Sequence, residues 1–264
     1  MSGGAALRWN DLPRRFVSAV AMLALGAVEI WWGGWPFAVL VVVVTGLMVW
    51  ELSRMTSLPG SLPAIGLGIL AGVVLAGVHA HPSPAALALL LVPGLAGAIR
   101  PRRDRVIFVI YAIFLMATGY GLITLRNGFG ISIILWMVAV VVTSDVLGYF
   151  AGRLIGGPKF WPKVSPKKTW SGTIAGWIGA AAVGAAFVMA GHGEGGLVWI
   201  SPLVALAGQL GDIAESAMKR RAGVKDSSSL IPGHGGVLDR FDALSGAVVL
   251  VVLLAHAGGL PVGA

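Results

Sequence analysis

The sequence predicts an all-α, polytopic integral membrane protein with about nine transmembrane helices and a cytoplasmic N-terminus. Three observations predict it. Of the 264 residues, 57% are hydrophobic and only 11% charged, with a mean hydropathy of +0.88, whereas a soluble domain carries about 25% charge. Apolar runs recur along the whole chain at close to the roughly 20 residues a helix needs to cross the hydrocarbon core. Finally, 18 of the 19 Lys and Arg fall on alternate loops, the asymmetry that orients a protein in a bilayer.

Residues 1–13 are polar and are expected at the surface. The predicted spans are 15–32, 35–52, 63–80, 84–99, 106–125, 131–151, 172–191, 197–218 and 243–260. Arg14 and Arg15 precede the first run, which no small-residue cleavage site follows, so it reads as a span and not as a cleaved leader. Gly33-Gly34-Trp35-Pro36 separates the first two runs tightly, as a hairpin would. Some runs are shorter than a full crossing, so tilt or partial crossing is expected there.

Nine spans place the N-terminus, Arg54, the 100–105 loop, the 152–171 loop and the 219–242 loop on one side, leaving only Arg126 opposite. The basic side is cytoplasmic by the positive-inside rule. Two parts follow: 1–130 as a lipid-facing scaffold and 131–264 as the part that carries the chemistry. Gly66, Gly68 and Gly72, and Gly172 with Gly176, are read as close helix packing. Trp31, Trp32, Trp35, Trp136 and Trp199 are read as interfacial belts, and Glu29 and Glu51, at span ends, as reaching the interface.

Composition also excludes several classes. The net charge of +8 is confined to short loops between apolar runs, so no nucleic-acid partner is expected. Cysteine is absent, which removes disulfide and thiolate chemistry. There is no Walker loop or G-x-G-x-x-G run. His79, His81, His192 and His256 have no metal-ligand spacing.

Chemistry concentrates in residues 210–242, which hold five of the eleven acidic residues: Asp212, Glu215, Asp226, Asp239 and Asp242. On a helix, Asp212, Glu215, Ser216 and Lys219 share one face. Asp239 and Asp242, three apart, share another. Carboxylates at membrane depth are costly and face a cavity or a partner. Hard divalent cations take oxygen ligands, and Mg²⁺ keeps few carboxylates together with phosphates and water. Asp212 and Asp239 are the first choice for a Mg²⁺ site, then Asp242, with a one-metal and a two-metal site both left open. Glu215 is either a ligand or the i+4 salt-bridge partner of Lys219. The run Pro232-Gly233-His234-Gly235-Gly236 allows backbone N–H groups to approach an anion. A second cluster holds Asp145 in span six, then Tyr149, Gly152-Arg153, Lys159 and Ser165-Pro166-Lys167-Lys168-Thr169-Trp170.

The order Ser216, Lys219-Arg220, Lys225-Asp226, Pro232, His234-Gly235-Gly236, Asp239-Arg240-x-Asp242 resembles the signature of the phosphatidate cytidylyltransferases, or CDP-diacylglycerol synthases. The stretch from Asp145 to Trp170 is similar to a second block of that family, with departures at Val146-Leu147, Ser171 and Ala243. The resemblance covers residues 140–245 in detail and the first half by hydropathy. It implies cytidylyl transfer from CTP to phosphatidate in a bacterial-type inner membrane, with active-site loops in the cytoplasm. It implies CTP, phosphatidate and membrane lipids as partners, and a homodimer. The implied catalytic residues are Asp212, Ser216, Lys219, Arg220, Asp239 and Asp242. Those implied at substrate are Asp145, Lys167, Lys168, Lys225, Asp226, His234, Gly235, Gly236 and Arg240. A CTP-dependent polyprenol kinase and a non-catalytic transporter are the competing readings, and an acceptor assay separates them.

Overall fold

The computed structural model describes residues 12–261. The described chain is mainly helical, with one small β hairpin and connecting loops. Its elements are α1 (Leu12–Trp32), α2 (Gly34–Met55), α3 (Ala64–Ala80), α4 (Pro84–Leu87), a 3₁₀ turn (Ala88–Leu91), α5 (Val92–Ile99), α6 (Arg105–Leu154), β1 (Lys159–Trp161), β2 (Ser165–Thr169), α7 (Trp170–Met189), α8 (Gly196–Ala222) and α9 (Leu238–His256). Four of these, α2, α6, α7 and α8, are long and apolar enough to cross a membrane. The N-terminal polar segment, Arg14 and Arg15 lie outside the side chains described.

Every predicted run coincides with helix, but three differ in form. The runs 106–125 and 131–151 belong to the single 50-residue α6, interrupted at Gly130 with φ 75° and ψ −160°. Only glycine adopts that backbone without strain. The run 84–99 is a broken segment, where Pro93 and the 3₁₀ turn interrupt a continuous helix. The last helix starts at Leu238, so Asp239 and Asp242 lie in its first turns. The 159–169 loop is an antiparallel hairpin that pairs Lys159 with Thr169 and Trp161 with Ser165. Phe160 packs edge-on against Trp170 at 4.7 Å, and Thr169 Oγ1 accepts from Gly172 N at 3.2 Å, capping α7.

The chain forms two compact units: the described residues to Ala112 with Val224–Arg240, and Ile113–Gly223 with Phe241 onward. In the first, α2 and α3 pack through glycine. A Cβ on Gly46 would lie 2.9 Å from the Gly68 carbonyl oxygen, and one on Gly68 would lie 2.8 Å from that of Gly46. Gly66, grouped with these in the sequence, faces open space. Met48, Val49, Leu52, Ala71 and Leu75 are fully buried beside this crossing.

In the second unit α7 packs on α6 where Gly172 meets the Gly148 carbonyl, and Gly176 meets Ser144 and Gln209. Trp136, expected at an interface, is 1% exposed. Its indole donates to Ser201 Oγ at 3.0 Å, so the one polar atom of the ring is satisfied inside the core. Trp31, Trp32, Trp35 and Trp199 are exposed, as an interfacial position requires.

Candidate active site

The acidic residues of the signature occur in two settings, one in each unit. In the second unit, glycine determines which acids meet. A Cβ on Gly211 would run into the carbonyl oxygen of Asp242, and one on Gly246 into that of Ala207. A Cβ on Gly208 would lie 3.1 Å from the Ala243 carbonyl. Backbone contact between α8 and α9 at these points places Asp212, Glu215 and Asp242 together, each with a carboxylate oxygen within 4.8 Å of the others. Glu215 is fully buried, while Asp212 is 30% exposed at its side chain.

Cations surround this cluster. Lys168 Nζ lies 2.5 Å from Asp212 Oδ2. Lys219 pairs with Glu215 one helical turn away, the partnership the i+4 spacing suggests. Ser216 Oγ donates to Asp212 Oδ1 at 3.3 Å. Lys168 also lines a cavity of about 330 Å³ with Asp145, Tyr149, Arg153, Lys167 and Gln209. Gln209 is fixed there, donating to Ser144 Oγ at 3.1 Å and accepting from Trp177 Nε1 at 3.1 Å. Arg153 donates to the Tyr149 hydroxyl at 2.8 Å. The second sequence cluster therefore contributes an acid, Asp145, and the cations Arg153, Lys167 and Lys168 to one cavity lining.

The three-carboxylate group suits a hard divalent cation: its donors are all oxygen, and mutual repulsion among three acids favours a bound positive charge. The lysines alongside are the groups that meet phosphate oxygens. Arg220 is exposed at the end of α8.

In the first unit the signature loop is closed by hydrogen bonds. Asp239 accepts from Gly236 N at 2.7 Å, from Ser227 N at 3.0 Å and from Ser227 Oγ at 3.0 Å. The bond to Gly236 reaches back three residues and ties the loop to the first turn of α9. Gly235 has φ +83°, and a Cβ there would lie 2.7 Å from Asp239 Oδ2. Arg240 donates to the His234 carbonyl at 2.9 Å through Nε. His234 Nδ1 lies 2.8 Å from Ser18 Oγ. Lys225 and Asp226 are exposed on the same loop.

Sequence reasoning missed Glu51. It is fully buried and accepts from Ser228 Oγ (2.6 Å), Leu238 N (2.7 Å) and Val237 N (3.0 Å), with Ser227 Oγ at 3.3 Å. The signal available was an acid between Trp50 and Leu52 inside an apolar run, which burial obliges to find donors. Arg102, also missed, is 5% exposed. It donates to Ser53 O, Thr56 Oγ1, Ser53 Oγ and Gly97 O at 2.8, 2.8, 3.1 and 3.1 Å. Its guanidinium stacks 4.1 Å from the Phe108 ring centre. Burial lowers its pKa from the ordinary guanidinium value.

Comparison with known proteins places these features in context. The description "Cytidylyltransferase family" matches residues 13–257. The phosphatidate cytidylyltransferase of Brucella abortus biovar 1 (strain 9-941) is 47% identical over 127 residues, covering 47% of each chain. That of Helicobacter pylori (strain ATCC 700392 / 26695) is 43% identical over 139 residues, 51% of this chain and 52% of that one. That of Bacillus subtilis (strain 168) is 29% identical over 255 residues, 88% of this chain and 93% of that one. The chain spans about half the length of the first of these curated relatives.

Proposed function

The chain belongs to the cytidylyltransferase family, and from that premise we propose that it transfers the cytidylyl group of CTP to phosphatidate, giving CDP-diacylglycerol and pyrophosphate. The observation that carries this reading is the convergence of Asp212, Glu215 and Asp242 within 4.8 Å, with Lys168 pairing with Asp212 and also lining the adjoining cavity. A single cluster of acids and a single lysine would suit many proteins. Acids, lysines and a cavity on one wall suit the joining of two phosphates.

The lipid phosphate is a monoester with a second pKa near about 6, so at neutral pH it arrives ionised and requires no general base. One of its oxygens forms a bond to the α-phosphorus of CTP, and the bond to the β-phosphate oxygen breaks, so pyrophosphate leaves with the electron pair. The barrier comes from charge: two polyanions must meet in line. Mg²⁺ held by Asp212 and Asp242, with Glu215 beside them, supplies neutralisation and orientation of phosphate oxygens when bound.

The chain's own residues do the rest. Lys168 exchanges its contact with Asp212 for phosphate oxygens, and Lys219 does the same from Glu215. Lys167 and Arg153, in the cavity lining, hold the triphosphate, and Arg220, Lys225 and Arg240 supply further positive charge. Asp145, in the cavity lining, takes donors from the nucleotide. Ser216 holds Asp212 in place. Asp239, carried by its loop, is retained as a metal-site carboxylate, with Asp226, His234, Gly235 and Gly236 contributing loop contacts to substrate.

Phosphatidate stays in the leaflet, since each buried CH₂ contributes about 0.8 kcal/mol to anchoring, so the headgroup enters laterally while CTP comes from water. The reading takes the membrane to be the inner membrane of a bacterial cell, with the basic loops cytoplasmic. The test is conversion of phosphatidate by the purified protein in detergent micelles. Labelled CTP with Mg²⁺ should give CDP-diacylglycerol and pyrophosphate, and omission of either should abolish it. No lipid product from phosphatidate, or phosphorylation of polyprenol when it is offered instead, would overturn the reading.

A further inference from the structure

We infer that Glu51 is a positioning residue: from α2 it orders the signature loop and the start of α9, and thereby sets where Asp239 and the loop amides stand. Its consequence for turnover rests on the cytidylyl-transfer reading above; the ordering of the loop does not.

Glu51 is fully buried, between the fully buried Leu52 and its neighbour Trp50. A carboxylate has room for about four donors, and four stand around this one. Ser228 Oγ and Val237 N lie on Oε1, and Leu238 N and Ser227 Oγ lie on Oε2. All four come from one segment, residues 227–238. Two of them are backbone N–H groups at the start of α9, where the helix presents partial positive charge to an anion. The negative charge is thus met by dipoles, and among the described residues no lysine or arginine forms an ion pair with it.

The order passes on to Asp239 through Ser227. Its hydroxyl lies 3.3 Å from Glu51 and 3.0 Å from Asp239, while its amide donates to Asp239 at 3.0 Å. One hydroxyl hydrogen serves two carboxylates, so displacing one shifts the other. Gly236 is the second link. A Cβ there would run into Ser227 Oγ and Glu51 Oε1, while its amide donates to Asp239 at 2.7 Å. The sequence reading gives this glycine to phosphate approach. The structure supplies an independent requirement for it, close contact with the carboxylate of Glu51.

Arg102 braces the opposite side. Its hydrogen bonds to Ser53 and Thr56 fix the end of α2 two residues beyond Glu51. The carboxylate is therefore presented from a fixed helix end. It does not touch the reacting groups in this scheme.

Glu51→Gln is the informative variant, because it keeps shape and removes charge. Val237 N and Leu238 N face different oxygens, one each, and cannot rotate away. Whichever side the new NH₂ takes, one backbone N–H then meets a donor.

The experiment measures amide hydrogen exchange of the full-length, ligand-free protein in micelles, together with steady-state kinetics. In E51Q, peptides covering 224–240 should lose protection while those covering α7 exchange as in the unmutated protein. Turnover should fall about 10–100-fold, the usual cost of removing a group that orients a ligand, with KM for the lipid little changed. Ser228→Ala, which removes one donor of four, should shift exchange and kcat the same way by less, and serves if E51Q fails to fold.

Unchanged exchange over 224–240 in both variants would overturn the inference, and so would a loosened loop with full turnover. If the unmutated protein shows no cytidylyl transfer, the functional reading falls. The exchange result, which needs no substrate, still decides whether Glu51 orders the loop.

Discussion

The carboxylates of the two units are chemically alike and differently surrounded. Glu51, on α2, is met by amides and hydroxyls of the distant 227–238 segment. Asp212, Glu215 and Asp242 meet chiefly one another and two lysines. A carboxylate whose acceptor sites are filled by fixed N–H groups builds structure, because replacing it strands buried donors at about 1–3 kcal/mol each. Carboxylates crowded together repel, so such a cluster marks a candidate site for a counter-charge. The same residue types thus divide into a carboxylate that shapes the protein and a group placed to serve the proposed reaction.

The largest effect that would break or sharpen this contrast is on stability and turnover together. Asp242→Asn should remove turnover by about 10²–10³-fold or more, yet leave the thermal midpoint unchanged or raise it, because one of three crowded charges is gone. Glu51→Gln should lower the midpoint. If both variants lose stability equally, the two groups do not differ in role.

Next in size is Gly211→Ala. Its Cβ would meet the Asp242 carbonyl, so α8 and α9 must separate at about 1–3 kcal/mol, the usual cost of overpacking. Turnover should fall with little change in exchange over 224–240. Normal turnover would mean that the close crossing is not what brings Asp212 to Asp242.

A smaller effect is expected from Arg102→Lys. An ammonium cannot reproduce a planar fork that contacts Ser53, Thr56 and Gly97 together, so exchange at the end of α2 and in the 224–240 loop should both rise modestly, while midpoint shifts from Mg²⁺ persist. Unchanged exchange would remove Arg102 from the bracing role. The smallest perturbation tests topology. Ser165→Cys, in a chain with no native cysteine, should be labelled only from the cytoplasmic side and retain turnover. Labelling from the outside would refute the assigned orientation.

Hydropathy made the helical runs legible, because burial in lipid demands apolar side chains over a fixed length. The signature singled out Asp212 and Asp242, since an acid beside a membrane helix end needs a reason, and the structure brings their carboxylates together. Other features were not legible, for physical reasons. The hairpin at 159–169 has strands of three and five residues with a proline at Pro166, too short for a period-2 pattern. Trp136 looked interfacial because its partner Ser201 is 65 residues away. Glu51 looked free to reach the interface because its donors lie 176 to 187 residues on, and no local pattern encodes a pairing at that separation. The grouping of Asp212 with Glu215 and Asp242, apart from the loop-held Asp239, likewise depended on where Gly211 and Gly246 allow two backbones to touch.

The most direct test of the central claim is the thermal midpoint and turnover of Asp212→Asn in CTP-containing micelles titrated with Mg²⁺. The unmutated protein should gain stability with Mg²⁺ by mass action and convert phosphatidate. Asp212→Asn should fold, lose the Mg²⁺-dependent gain and make no CDP-diacylglycerol. A folded Asp212→Asn protein that keeps both the Mg²⁺ response and near-normal turnover would contradict the assignment of the reaction to this carboxylate cluster.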